Sequence, residues 1–290
     1  MARGNEGLMH RFVTTLLAMT ILFLPLQLHA YSRIISLKPN ITEIVFALDE
    51  GNKLVGITSF CQRPPEAAKL PKVADYISID VERVLAQKPD LILASTENAS
   101  RKEVEFLKAQ GIPVELFAFT SLQDIRSSVL RLGTLLGKIS QAQALVQEMD
   151  RSLGELKDRA DKAKPMTALF IVGYDPLVVV GGNNFIGQSF PFLGLRNVAE
   201  KSRMSYPVYS MEQLLQSAPE LIVDLAMGSE ATASKRAQRQ SWWQGIPSIP
   251  AIREHRIYSF DIEKIRAVPE LPQALTELFS LIHAAPSPNS

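Results

Sequence analysis

The sequence predicts an α/β protein of two Rossmann-like lobes with central parallel sheets, bridged by one long α-helix. Three observations carry this. The chain repeats itself 130 residues apart: residues 81–93 read Val-Glu-Arg-Val-Leu-Ala-Gln-Lys-Pro-Asp-Leu-Ile-Leu, and residues 211–223 read Met-Glu-Gln-Leu-Leu-Gln-Ser-Ala-Pro-Glu-Leu-Ile-Val. Glu82 matches Glu212, Leu85 matches Leu215, Pro89 matches Pro219 and Asp90 matches Glu220. That period is far too long for a solenoid and marks two similar lobes, each with a short helix, a proline break and a buried strand. Strand-like and helix-like segments also alternate at the intervals of βα units. Finally, a long run of helical period lies between the two copies. The expected boundaries are a signal peptide at 1–30, a first lobe at 31–138, a linking helix at 139–164 and a second lobe at 165–285. Two lobes enclose a cleft, and clefts are where small ligands usually bind.

Along the first lobe, residues 33–37 read as a strand, Lys38-Pro39-Asn40 as a turn and residues 42–48 as a short helix. Residues 53–58 return as a strand, and the three prolines within 60–71 mark a loop. Asp80 caps a helix beginning at Val81, and Pro89 breaks the chain after it. Residues 91–94 form a buried strand, 101–110 a helix closed by Gly111, and 114–119 a strand. Helical period then runs from 122 to about 163, with Ser140 as the cap of the linking helix. In the second lobe, 168–173 and 177–180 read as strands, and 185–192 as a helix. Ser210 and Gln213 form a capping box for the second copy of the repeated helix, followed by a strand at 221–225. A strand at 256–260 and a helix at 269–283 close the fold.

Composition excludes several functions. Apolar residues make up 46% and charged residues 21%, ordinary for a globular chain. There is no basic stripe interleaved with aromatics, so nucleic acid is not an expected partner. Arg3 and Arg11 precede an apolar stretch that ends near His29-Ala30, the layout of a cleaved secretory signal peptide. An uncleaved anchor is the rival reading, but the stretch sits at the short limit for a spanning helix. Removing Arg3, Arg11 and Glu6 with it turns 31 basic and 30 acidic residues into 29 of each. Cys61 is the only cysteine, so no internal disulfide is available and the fold stands on its core. A soluble periplasmic monomer fits these facts.

Few segments carry a chemical signature. Gly182-Asn-Asn-Phe-Ile-Gly187-Gln188-Ser189 departs from the phosphate-loop pattern at Gln188, where that pattern has lysine. Without the charge it reads as a glycine turn, and a nucleotide-dependent α/β enzyme using it is the alternative of another class. His255 and His283 lie outside any metal-ligand spacing, and no sequence signature makes Cys61 a nucleophile. No metal site, cofactor or catalytic group is expected. Glu82 and Glu212 stand at the second position of their helices. A carboxylate there favours the helix dipole; projecting from matched lobe tips, the two also suit basic pockets on a partner. Phe60, Tyr76, Tyr174 and Tyr206 fall in loops flanking strands, where ligands bind in such sheets, or where aromatics simply pack. Trp242-Trp243 reads as packing. Arg266 follows the last strand by a short loop and points either to the cleft or to solvent.

The opening of the first lobe is more specific. Arg33-Ile-Ile-Ser-Leu-Lys-Pro-Asn-Ile-Thr-Glu-Ile-Val-Phe-Ala-Leu48, Leu54-Val-Gly-Ile-Thr58, Arg63-Pro-Pro-Glu66, Leu70-Pro-Lys-Val73 and the segment 82–94 together resemble the helix-spine class of periplasmic solute-binding proteins of ABC importers. The likeness runs from about residue 33 to 282 and is closest to the cobalamin-binding members. It implies two lobes joined by one long helix, small closure on binding, and delivery of cobalamin, an iron-siderophore or haem. It implies that Glu82 and Glu212 dock on arginines of the membrane permease, and that Phe60, Tyr76 and Tyr206 stand among the cleft aromatics. Arg266 falls near an arginine common in the last cleft loop. Haem-binding members carry a ligand tyrosine where this chain has Arg63. A corrinoid has a broad apolar face, which aromatics cover, and an amide rim, which groups such as Asn183 meet. An anionic ferric siderophore calls for cleft cations, and only Arg266, Arg63 and Lys38 are candidates. The expectation is binding without turnover of a metal chelate, most simply a corrinoid, with a ferric siderophore or haem as alternatives.

Overall fold

The computed structural model describes residues 31–75, 77–225 and 232–284. The expected signal peptide and Tyr76 lie outside the described residues. Among the described residues, no helix is long and apolar enough to cross a membrane.

The first lobe holds strands β1 (Ile34–Ser36), β2 (Leu54–Thr58), β3 (Lys72–Ala74), β4 (Leu91–Ser95) and β5 (Val114–Phe117) in the order β3-β2-β1-β4-β5. All four pairings are parallel. Helices α1 (Pro39–Ala47), α2 (Val81–Ala86) and α3 (Lys102–Ala109) cover it. Both faces are buried, which is why the strands read as near-continuous apolar runs. Ile34, Leu91 and Leu93 pack on one side with α1, while Ile35, Ile92 and Ala94 pack on the other with α2 and α3.

Pro39 and Asn40 form the first turn of α1 and are not the turn expected there. Proline suits this position because its missing N–H has no helical partner and its φ is already set. Asp80 caps α2 by accepting the Arg83 amide, as expected. Lys88, just after α2, and Ala218, 130 residues later, both take a positive φ. Each is followed by proline, so the two copies leave their helices by the same turn.

Two helices, not one, connect the lobe cores. Helix α4 (Leu122–Leu136) and helix α5 (Ile139–Ala160) form an antiparallel hairpin around Gly137, which has φ 72°. Helix α5 is the expected long linker of 22 residues. Lys138 is its N-cap, so Ser140 lies in its first turn and does not cap it. Leu122 and Ile125 of α4 and Met149, Leu153 and Leu156 of α5 belong to the second lobe's core. Val129, Leu132 and Leu136 of α4 and Ala142 of α5 belong to the first lobe's core. The sequence offered α4 no distinct place, because its helical period runs on into α5 with only Gly137 between them.

The second sheet contains β6 (Met166–Tyr174), β7 (Leu177–Val179), β8 (Leu195–Asn197), β9 (Leu221–Asp224) and β10 (Ile257–Ser259). Its order is β10-β9-β6-β7, with β8 also pairing β6. Strand β7 is antiparallel to β6, so this sheet is mixed at one edge. The helix expected at 185–192 is a 3-10 helix, Gly187–Leu193, with Pro191 inside it. Helix α6 (Met211–Ser217) carries the predicted Ser210–Gln213 capping box. Helices α7 (Ala233–Gln244), α8 (Pro250–Arg253) and α9 (Leu271–His283) complete the lobe. In both lobes the repeated helix leads into a strand paired with the central first strand, β4 on β1 and β9 on β6.

Candidate functional site

Parallel strands direct their carboxyl ends to one edge of a sheet, and ligands bind in the loops there. In the first lobe that edge carries Lys38 after β1, Phe60 after β2 and Glu97 after β4. Lys38 and Glu97 form an ion pair. Glu97 sits in the turn Thr96–Asn98, fixed by a capping box in which the Ser95 amide donates to Asn98 Oδ1 at 3.2 Å and the Ser95 hydroxyl accepts the Asn98 amide. The Phe60 side chain is 41% exposed.

The second lobe answers with Tyr206, Asn183 and Arg266. Tyr206 is also 41% exposed. Burial pushes its phenol pKa upward, and the negative charge of Glu97 adds to the rise. Tyr206 thus lies within the field of a carboxylate from the opposite lobe. Asn183 is exposed; its amide donates to the Arg203 carbonyl at 3.4 Å, and its own carbonyl accepts the Ser205 hydroxyl at 2.7 Å.

Arg266 crosses to the first lobe and ion-pairs with Glu43 of α1. One residue on, the Ala267 carbonyl accepts a long hydrogen bond from the Asn40 amide at 3.5 Å. Beside this junction a groove of about 710 Å³ runs between α1 and α9, lined by Glu43, Phe46, Arg63, Lys264, Arg266 and Glu277. Arg266 and Arg63, two of the three candidate cleft cations, are on its wall. Phe60, Asn183 and Tyr206 do not line it.

Tyr174 sits deeper, at the end of β6. The Arg239 guanidinium lies 4.8 Å from its ring centre, and Trp242 and Trp243 meet it edge-on at 6.1 and 6.2 Å. Burial and then the Asp224 charge raise its pKa. Tyr174 therefore helps to build the second lobe around the Asp224–Arg239 pair. Trp243 packs in the core, as the sequence suggested, while Trp242 is partly exposed.

The glycine-rich segment 182–189 folds onto itself. Asn184 accepts the Gly187 amide at 2.9 Å and donates to the Gly181 and Ser205 carbonyls at 3.2 and 2.6 Å. A Cβ on Gly182 would lie 2.2 Å from the Glu200 carbonyl oxygen, so glycine serves close backbone approach. Gln188, which stands where a phosphate loop has lysine, accepts the Leu122 amide at 3.0 Å and so satisfies the start of α4. Among the described residues there is no cluster of metal-ligating side chains.

Glu82 and Glu212 are exposed at the second position of α2 and α6. The matched leucines one turn on, Leu85 and Leu215, are exposed as well. Sequence reasoning missed Glu43 and Glu97, the partners of the two cleft cations. The Glu43–Arg266 pair spans 223 positions and leaves no local trace. Glu97 had a weak signal, the Ser-x-x-Asn cap at the end of a buried strand.

Residues 34–263 match a family described as periplasmic binding protein. A vitamin B12-binding protein of Pectobacterium atrosepticum is 32% identical over 225 residues, spanning 76% of this chain and 79% of that protein. A vitamin B12-binding protein of Vibrio parahaemolyticus is 29% identical over 249 residues, spanning 85% and 87%. Among solved structures, a possible iron-binding (periplasmic solute-binding) protein of Staphylococcus epidermidis superposes with a TM-score of 0.77 at 25% identity, covering 88% of this chain and 99% of that one.

Proposed function

This chain belongs to the periplasmic binding protein family, and we propose that it captures a corrinoid between its lobes and hands it, as a monomer, to an ABC importer of the inner membrane. Export through a signal peptide at 1–30 belongs to the same reading. The observation that carries the choice of cargo is charge. Two of the three basic side chains considered for an anionic chelate are already neutralised, Arg266 by Glu43 and Lys38 by Glu97. A ferric siderophore bearing several negative charges would have to displace those carboxylates or lie against them. A corrinoid ring offers an apolar face and neutral amides instead. Phe60 and Tyr206 supply exposed aromatic surface from opposite lobes, and Asn183 supplies a neutral polar group. The names of the relatives point to the same cargo. Glu82 and Glu212, one on each lobe, are the docking points for the permease in this reading.

Equilibrium dialysis of residues 31–290 against cyanocobalamin tests the cargo. Saturable retention of one equivalent is the expected result; free passage of the ligand at micromolar protein would sink the corrinoid assignment.

A further inference from the structure

We propose that Lys38 and Glu97 act together as a reader of carboxamides on the cargo's rim, and that the pair rejects the corresponding carboxylates. This rests on the corrinoid reading and goes beyond it by assigning the selectivity to two residues. Strands β1 and β4 are hydrogen-bonded neighbours, with Ser36 opposite Leu93. Their carboxyl ends therefore deliver Lys38 and Glu97 side by side. Lys38 is held at the N-cap of α1 with its side chain 31% exposed, while that of Glu97 is 73% exposed. The capping box of Ser95 and Asn98 fixes the turn that carries Glu97. The carboxylate thus stands on a rigid turn at the ligand edge of the sheet, with Tyr206 of the other lobe inside its field.

An ammonium supplies only donors and a carboxylate only acceptors. Held together they present one donor and one acceptor with no net charge, the complement of a primary amide. The amide oxygen accepts from Lys38, and the amide nitrogen donates to Glu97. A carboxylate in the same position keeps the first contact but sets two negative oxygens against each other. Binding sites discriminate best through such repulsive elements and unpaired polar groups. An exposed ion pair contributes little to fold stability, so its replacement leaves a folded protein to measure.

The test compares dissociation constants for cyanocobalamin and for each of its isolated monocarboxylic acids, in which one peripheral amide has been hydrolysed. Wild-type protein is expected to prefer cyanocobalamin over at least one of these acids by about tenfold or more. Glu97→Gln is expected to bring that ratio close to one, and Glu97→Lys to invert it. Thermal unfolding of each variant confirms that the fold is retained. Equal wild-type affinity for cyanocobalamin and every acid overturns this assignment alone, as does a ratio that survives in Glu97→Gln. Absence of cyanocobalamin binding by wild type overturns both it and the corrinoid reading.

Discussion

Asp90 and Glu220, 130 positions apart, hold the first strands of their lobes in the same way. Asp90 accepts the backbone amides of Ser32 and Arg33 at 2.8 and 3.0 Å, and its own amide donates to the Arg33 carbonyl at 2.9 Å. Glu220 accepts the amide and hydroxyl of Thr167 at 2.7 and 2.9 Å, and its amide donates to the Thr167 carbonyl at 3.0 Å. The repeat thus preserves a fastening between the strand after the short helix and the strand that opens the lobe.

Both carboxylates titrate below their ordinary values in the folded protein. Burial acts against this at Asp90, but the Ser32 and Arg33 amides outweigh it; at Glu220 the Thr167 amide is the leading cause. A depressed folded pKa contributes stability that is complete above the unfolded value, near 4, and is lost as pH falls through the folded one. Asp90→Asn and Glu220→Gln should each cost about 1–2 kcal/mol at pH 7. Urea midpoints at pH 7 and pH 3 check this: the deficit should shrink at the lower pH, and an equal deficit at both would contradict the mechanism.

Gly133 marks the tightest point of the α4–α5 hairpin. A Cβ there would lie 2.3 Å from Ala142 Cβ and 3.0 Å from the Lys138 carbonyl oxygen. Gly133→Ala should destabilise the protein by about 1–3 kcal/mol through overpacking. Because both helices enter both lobe cores, a single cooperative unfolding transition is expected to persist at a lower denaturant midpoint. Separation into two transitions would mean that the hairpin does not couple the lobes.

Asp224 and Arg239 are each 7% exposed and meet at 2.9 Å beneath Tyr174. Asp224→Ala should cost about 3–5 kcal/mol, because it breaks a buried ion pair by removing one member. The double replacement Asp224→Leu with Arg239→Met should recover most of that loss, read from urea midpoints. A double variant as unstable as the single one would argue against charge burial as the cause.

Replacing Glu82 and Glu212 with arginine should lower cobalamin uptake by cells about tenfold or more, since like charges then face each other at docking. The affinity of the purified protein for cyanocobalamin should stay within error, because both residues are exposed and neither is among the side chains proposed to meet the ligand. Loss of affinity in the purified variant would remove the docking assignment.

Much of the fold was legible because it rests on local chemistry. Asp80 and Ser210 announce their helices by capping, and buried runs such as Leu91–Ser95 announce strands. Strands β3 and β8, three residues each, carry Lys72 and Arg196 and show no usable period. Helix α7 is polar or charged at most positions, so its apolar face is too thin to detect. The antiparallel course of β7 follows from a tight turn at Asp175-Pro176, which the sequence indicates without direction. The sequence offers Phe60 and Tyr206 as exposed loop aromatics, but the charge balance is not legible, since it depends on Glu43 meeting Arg266 across the lobes.

The most direct test of the neutral-cleft account is calorimetric titration of residues 31–290, side by side, with cyanocobalamin and with an anionic ferric catecholate siderophore. Saturable one-site binding of cyanocobalamin with micromolar or tighter affinity, and no measurable heat from the siderophore, is the expected result. Saturable binding of the siderophore with none of cyanocobalamin would contradict it.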